Sequence, residues 1–451
     1  MSAFFVSLAR QAISLALTQL DDELAQEKSQ NLIHQKKQRT ILTAFGEISY
    51  VRRYYRTPAG KENFFALDRF LGFEGRQRVT PLLKYLVAKA SPGMTNRHEA
   101  EVFSLLTPVT LSHQAVNQIV HVTGAQIKAQ KESEAVQAQD AIETSQLTKR
   151  RQVPYLVVTG DALLFKECGN LVRHGSLHRV TVHEGSQKLL KRDGQPVKQR
   201  KELINAKTFS GTDREAVFWQ ADMYLHAHYD LRETVVITNS DNGSGYTADK
   251  FERFGSGAKQ WIHQLDHFHV RRKLEERLSQ SHPELIQKLL RAVFRDYSWK
   301  DVELVLTTID SQLSTDPSGN YLARAEINKL AEYLNRNWSS LEPLWWNGKL
   351  HNPGGLGTSE SGHRRYSYRL KGHGKYWSAQ GAEAQALIID CDKNNNLEYY
   401  LGLPQVALKR DKWSYDGKFI LKLLRQPQRL SEPHVGVTVG KVEFNGKRYM
   451  V

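Results

Sequence analysis

The 451-residue chain has only two cysteines, Cys168 and Cys391, and no CxxC pair. That excludes a disulfide framework and a thiolate zinc site, and it fits a reducing compartment. No apolar run in the sequence reaches membrane-spanning length. Near the N-terminus Phe4, Phe5, Val6 and Leu8 are soon interrupted by Arg10 and Gln11, and there is no signal-peptide layout. Tandem repeats and low-complexity tracts are lacking too. A soluble intracellular protein is the resulting expectation. Hydrophobic residues make up 40% of the chain, enough for a large core, and Lys+Arg outnumber Asp+Glu by 63 to 48 for a net charge of +15. Such an excess favours a polyanionic partner, because cationic side chains release counterions from a phosphate backbone.

Leu8, Ile13, Leu15, Leu20 and Leu24 lie near helical spacing, which predicts an amphipathic helix over 3–30. Residues 39–56 are β-branched and aromatic around Gly46, which predicts a strand pair. Three helical segments are expected after Thr80. Thr80 precedes Pro81, Asn96 and Glu99 form a capping-box-like start, and Ser112 precedes a stripe of Ala115, Val116, Ile119 and Val120. Three helices with tight turns suit a helix-turn-helix module. Its third helix would present His113, Gln114, Asn117 and Gln118 to base edges. A helical bundle that never meets DNA fits the same pattern. A polar stretch ending in Lys149-Arg150-Arg151 predicts a linker helix.

The texture alternates after residue 153. Two apolar strands, 154–161 and 234–241, each end in an aspartate, and 178–183, 206–210 and 259–266 predict three more strands. Helices are expected at 214–229, 269–278, throughout 283–346, from about Thr358, and over roughly 379–389. Neighbouring strands that end in Asp place two carboxylates, Asp161 and Asp241, on one rim. Magnesium favours this donor set of few carboxylates, retained waters and substrate phosphate oxygens. Two such ions activate an attacking oxygen and stabilise a leaving one. Glu360, in the first turn of the helix from Thr358, is the third acid. The same helix carries Arg364, Arg365, Arg369 and Lys371 with Tyr366 and Tyr368 interleaved, a pattern suited to a DNA strand. Each acid also has a plain reading, as a turn or cap residue for the aspartates and a dipole-favoured Glu for Glu360. Glu383 and Asp390 lie downstream as other choices. Asp266, His267 and His269 form a second cluster. They either support the active site or make an ordinary strand-to-helix turn, with Asp266 as cap and Phe268 in the core.

Ordered pieces run through most of the chain. They are Thr43-Ala-Phe-Gly46-Glu47-Ile48, Arg52-Arg53-Tyr54-Tyr55, Leu67-Asp68-Arg69-Phe70-Leu71-Gly72, Ser240-Asp241-Asn242-Gly243, Leu265-Asp266-His267-Phe268-His269, and Arg369-Leu370-Lys371-Gly372 with Trp377-Ser378 and Gly381-Ala382. With the acids in this order, the chain resembles DDE transposases of the Mutator superclass. More narrowly it resembles the bacterial insertion-sequence family called ISLre-two. The resemblance implies an α/β fold: an RNase H-like mixed sheet flanked by helices, with an all-helical insertion, preceded by a mainly helical N-terminal DNA-binding region. It implies a triad of Asp161, Asp241 and Glu360 holding two Mg2+ or Mn2+ ions for DNA cleavage and strand transfer. The implied partners are double-stranded DNA, as terminal inverted repeats and target, and further copies of the chain. No membrane is involved, and the expected place is the bacterial cytoplasm at the nucleoid. One departure is Asp241-Asn242-Gly243, where the family is expected to have Asp-Gly.

The expected boundaries are 1–78 for the helix and hairpin region, 79–125 for the helix-turn-helix-like module and 126–152 for the linker helix. The core spans 153–280 and 353–392 around an insertion at 281–352, and a basic region fills 393–451. The rival readings are a catalytically inactive or domesticated DNA-binding protein and a non-transposing RNase H-like nuclease.

Overall fold

The computed structural model describes residues 3–403 apart from 28–31, 57–62, 74, 76, 148, 170–172, 192–194, 244, 279–282, 314–319, 347–352, 358 and 373, and beyond them 441–444 and 447–450. Two units separate, Met1–Pro404 and Gln405–Val451.

Helix α1 (Ala3–Glu27) lies along an antiparallel sheet of β1 (Leu32–Thr43), β2 (Gly46–Arg56) and β3 (Asn63–Phe64), followed by α2 (Ala66–Phe70). Gly46 makes the β1–β2 turn at φ +97°, and the Arg10 guanidinium occupies the space a Cβ would need. The signature pieces of this region are structural. The buried Asp68 carboxylate pairs with Arg39 (2.7 Å) and Arg52, and Arg53 pairs with Asp21 of α1 (2.7 Å). Length and composition alone would let α1 cross a membrane, at mean hydropathy 1.3. Arg10 interrupts the apolar run as expected but lies within the helix, its guanidinium turned to the Phe45 carbonyl (2.6 Å).

Helices α3 (Pro81–Ala90), α4 (Asn96–Leu106) and α5 (His113–Glu143) follow. Thr95, not Asn96, caps α4, and Ser112 caps α5. The third helix, 31 residues long, runs on past 125 to Glu143 and takes in the first part of the linker expected at 126–152. Gly124 does not end it. A Cβ there would stand 2.4 Å from that of Ala384, so the glycine allows a close crossing with a later helix.

The central sheet has strand order β10-β9-β4-β5-β8. Its members are β4 (Tyr155–Glu167), β5 (Arg173–His183), β8 (Lys207–Gly211), β9 (Val235–Ser240) and β10 (Gln260–Leu265). Strands β4, β9 and β10 are mutually parallel, and β5 is antiparallel to both β4 and β8. Strand β4 is longer than expected. Its pairing with β9 stops at Thr159, and from there it continues against β5 alone. Asp161 therefore sits where β4 leaves the parallel ladder, not at a strand end. Between β5 and β8 the chain makes a separate two-stranded ribbon, β6 (Ser186–Leu190) and β7 (Pro196–Leu203).

Helix α6 (Arg214–His228) covers one face of the sheet, packing Val217, Phe218 and Leu225 with Val180, Val182 and Val236. Helices α7 (Ala248–Phe251) and α8 (His267–Arg277) follow β9 and β10 in turn. Helices α9 (Pro283–Phe294), α10 (Trp299–Leu313) and α11 (Asn320–Arg336) form the all-helical part with α8, around Leu274, Leu289, Val293, Val302 and Leu334. Helices α12 (Ser359–Leu370) and α13 (Ala379–Lys393) pack Tyr366, Leu370, Ala386 and Ile389 on Leu163, Phe165 and Leu177, and α14 (Leu397–Tyr400) follows. The fold is thus mixed α/β, a mixed sheet flanked by helices. In the second unit β11 (Lys441–Phe444) and β12 (Lys447–Met450) pair antiparallel, and residues 404–440 of the expected basic region lie outside the described residues.

A buried ion pair joins these layers. Asp390 of α13 is fully buried. It accepts from Lys131 of α5 (3.2 Å), Ser210 of β8 (2.6 Å) and Tyr366 of α12 (2.6 Å). Removing one charge strands the other in a low dielectric, at a cost of about 3–5 kcal/mol. Lys131→Met is expected to lower the unfolding free energy in urea by about that amount, and adding Asp390→Asn is expected to recover much of it.

Candidate active site

The row of acids follows from strand register. Tyr155 faces Val235 and Thr159 faces Asn239 at the last rung of this pairing, so in register Asp161 and Asp241 each lie two residues past it, at the same level of the ladder. On the other side Leu265 faces Ser240, and the Asp266 N–H donates to the Ser240 carbonyl (2.8 Å), which brings Asp266 level as well. Asp161, Asp241 and Asp266 thus form a row along the C-terminal edge of the β4–β9–β10 ladder.

Their surroundings differ. Asp266 is buried and committed to structure. It caps α8 through the Phe268 N–H (2.9 Å) and faces His269 Nδ1 (3.1 Å). His267 packs its ring on Phe294, and Phe268 is 53% exposed instead of in the core, because the α8 apolar stripe is carried by Val270 and Leu274. Asp161 accepts from the Ala162 N–H (2.7 Å) and from His363 Nε2 of α12 (2.7 Å). Burial opposes its ionisation, but His363 and the Ala162 N–H hold the carboxyl below its ordinary range. Burial lowers His363, which leaves a neutral imidazole that donates its Nε2–H, while Nδ1 is buried with no partner among the described residues. Asp241 accepts from the Gly243 N–H (2.9 Å) in a tight turn where Asn242 takes φ +57°. Asparagine tolerates that left-handed conformation better than most side chains, which accounts for the departure from Asp-Gly. Tyr246 folds back from this loop and donates to the Asp161 carbonyl (3.0 Å). Burial raises its phenol, and the charges of both Asp161 and Asp241 push it further.

Helix α12 is seated over this row at two points. The Gly357 N–H donates to Asn239 Oδ1 (3.2 Å) beside Asp266, and His363 meets Asp161. Glu360 lies midway along the chain between these anchors, in the first turn of α12; its side chain and Thr358 lie outside the described residues. The other downstream acids are occupied. Glu383 pairs with Lys128 (3.0 Å) and accepts from Thr212, and Asp390 is enclosed as described above.

The donor set fits hard divalent cations. Asp161 and Asp241 are level, partly exposed carboxylates, and among the described residues neither makes an ion pair with Lys or Arg. No three carboxylate, imidazole or thiolate groups among the described residues form a ready-made cage. Magnesium sites of this kind are completed by water and substrate oxygens. A cleft of about 340 Å3 between Asn239, Asp266, Phe268 and Gly357 leaves room beside the row.

The residues expected to meet DNA divide by helix face. His113, Gln114, Asn117 and Gln118 are all exposed on α5, as are Arg364 and Lys371 on and after α12. Arg365 is exposed but paired with Asp392 (2.6 Å). Arg369 is buried: positions 363, 366 and 369 form the inward face of α12. Its guanidinium stacks on Trp377 and donates to Asn96 Oδ1 (3.1 Å), while Asn96 donates to Asn117 Oδ1 of α5 (3.0 Å). Asn96 thus bridges the exposed face of α5 and the helix of Glu360. Sequence reasoning missed His363 and Tyr246. The signal for His363 was its position three residues after Glu360, on one helix face. Tyr246 reaches β4 only through the loop fold and left no signal.

Glu99 of α4 is buried beside Arg369, with neither carboxylate oxygen partnered among the described residues. Burial raises its carboxyl from 4.5 to about 8, against the opposing pull of Arg369. The folded state therefore holds the proton more tightly than the unfolded chain, and stability falls as pH rises from 4.5 towards 8. Glu99→Gln is expected to flatten the melting temperature across that window and to exceed the wild type above it, read by calorimetry over a pH series.

The family described as Uncharacterised protein family (UPF0236) matches residues 2–397. A curated relative, the UPF0236 protein in vanSb 3'region of Streptococcus gallolyticus, is 33% identical over 367 residues, covering 80% of this chain and 74% of that protein. Both the N-terminal sheet and the row of acids fall inside the matched span, and the chain belongs to the UPF0236 family.

Proposed function

We propose that the chain is a DDE transposase that binds transposon ends and carries out metal-dependent DNA cleavage and strand transfer. The observation that carries this reading is Asp161 and Asp241, each two residues past the last rung between the parallel strands β4 and β9, with the helix of Glu360 anchored beside them. The mixed sheet, with β5 antiparallel on one side of β4 and β9 parallel on the other, is consistent with an RNase H-like core. The ordered sequence pieces shared with ISLre-two transposases and the net charge of +15 point the same way.

In this reading Asp161, Asp241 and Glu360 hold two Mg2+ or Mn2+ ions. Bound there, the ions supply Lewis-acid activation of the attacking oxygen and relief of charge on the leaving one. The chain's own work is positional. His363 and the Ala162 N–H keep Asp161 ionised and fix its rotamer, the Gly243 N–H orients Asp241, and Tyr246 ties the two strand ends together. The exposed face of α5, with His113, Gln114, Asn117 and Gln118, reads the terminal repeats, and Arg364 and Lys371 take backbone phosphates. Asp266, His267 and His269 support the turn beside the site. A synaptic homo-oligomer at the nucleoid is part of the same proposal.

The test is cleavage of duplex DNA carrying the repeats that flank the coding region, with Mg2+ or Mn2+. Asp161→Asn, Asp241→Asn and Glu360→Gln are each expected to abolish cleavage and strand transfer while retaining end binding. His363→Ala is expected to lose about 10–100-fold, as for residues that orient metal ligands. Wild-type turnover by either aspartate variant sinks the proposal. Cleavage without strand-transfer products would favour a plain nuclease.

A further inference from the structure

The ribbon β6–β7 has no place in the site just described. Its strands pair only with each other, and among the described residues of 186–203 none belongs to a core cluster. An isolated two-stranded hairpin is marginal in water, so its retention points to a partner outside the fold. Its sequence places Lys188, Lys191, Arg192, Lys198, Arg200 and Lys201 against only Asp193 and Glu202. Lys188, Lys191, Arg200 and Lys201 are exposed, and none makes an ion pair among the described residues. Glu202 is occupied by Gln187 (2.9 Å). Lys188 stands directly opposite Lys201 in the register. Like charges so placed destabilise a strand pair, and an anion held between them removes the repulsion.

The root of the ribbon is tied to the candidate active site. The Ser186 N–H donates to the Pro353 carbonyl (3.0 Å), and Gly355 lies against His183 and Leu203, where a Cβ would clash. The same segment, 353–357, ends at Gly357 on Asn239 and continues into α12. A duplex gripped by the ribbon would thereby be held at a fixed distance from Asp161 and Asp241.

We infer that β6–β7 is a DNA-docking arm that lays its basic strands into the major groove of B-form duplex beside the cleavage position. This rests on the transposase reading. The major groove, about 12 Å wide, admits a two-stranded ribbon, whereas the deep, narrow groove of A-form RNA does not. Commitment to duplex DNA follows from that shape together with the charge.

The test uses the full chain with Lys188→Gln, Lys191→Gln, Arg200→Gln and Lys201→Gln combined, titrated by fluorescence anisotropy against mixed-sequence DNA and RNA duplexes over a salt series. The variant is expected to bind DNA at least about tenfold more weakly, with a salt slope shallower by about 2–4. Its preference for DNA over RNA duplex should shrink. Its melting temperature should hold or rise, since the Lys188–Lys201 repulsion is gone. Unchanged DNA affinity and slope, or equal losses on both duplexes, overturn the docking arm. If that happens while wild type cleaves end DNA, the transposase reading stands. A wild type that binds no duplex DNA takes down both.

Discussion

One enclosed carboxylate organises the molecule. Asp390 receives a proton donor from each of α5, β8 and α12 while itself belonging to α13. A buried charge of this kind tolerates little displacement, because any lost partner leaves it unsolvated. The consequence is felt one turn away. Tyr366, fixed by Asp390, lies on the same face of α12 as His363, so the helix can present His363 to Asp161 and little else. Arg179, directly across the strand pair from Asp161, stacks on that Tyr366 ring and carries the constraint into the sheet. The acid row and the helix over it are thus aligned from beneath.

Much of this architecture was legible in the amino-acid order, and the omissions have physical reasons. Apolar β-branched runs gave all five strands of the central sheet, and the aspartates closing two of them drew attention to the rim where they meet. The periodic pattern alone did not reveal that β4 outlasts its neighbour β9, because strand length is set by which partner continues. The β6–β7 ribbon carries no alternating apolar face in its sequence, and so it left no hydrophobic signal. Helix α5 runs through the expected boundary at 125, and Gly124 beside it serves close approach to Ala384. His363 was in plain view three residues from Glu360, yet its partner Asp161 lies 202 positions away.

Two electrostatic kinds stand out among the acids of this fold. Asp68, Glu383 and Asp390 each face a Lys or Arg of the chain, and the pair neutralises itself. Among the described residues, Asp161 and Asp241 accept from uncharged donors: two backbone N–H groups and an imidazole that burial keeps neutral. Hydrogen bonds from neutral donors orient these carboxylates without cancelling their charge. The fold has guanidinium and ammonium groups in excess, and Arg179 is already next to the row. Among the described residues it nevertheless leaves both aspartates without a Lys or Arg partner. A charge deficit kept in so basic a protein is hard to explain as structure, and it is what the proposed chemistry requires: room for cations that arrive with the nucleic acid.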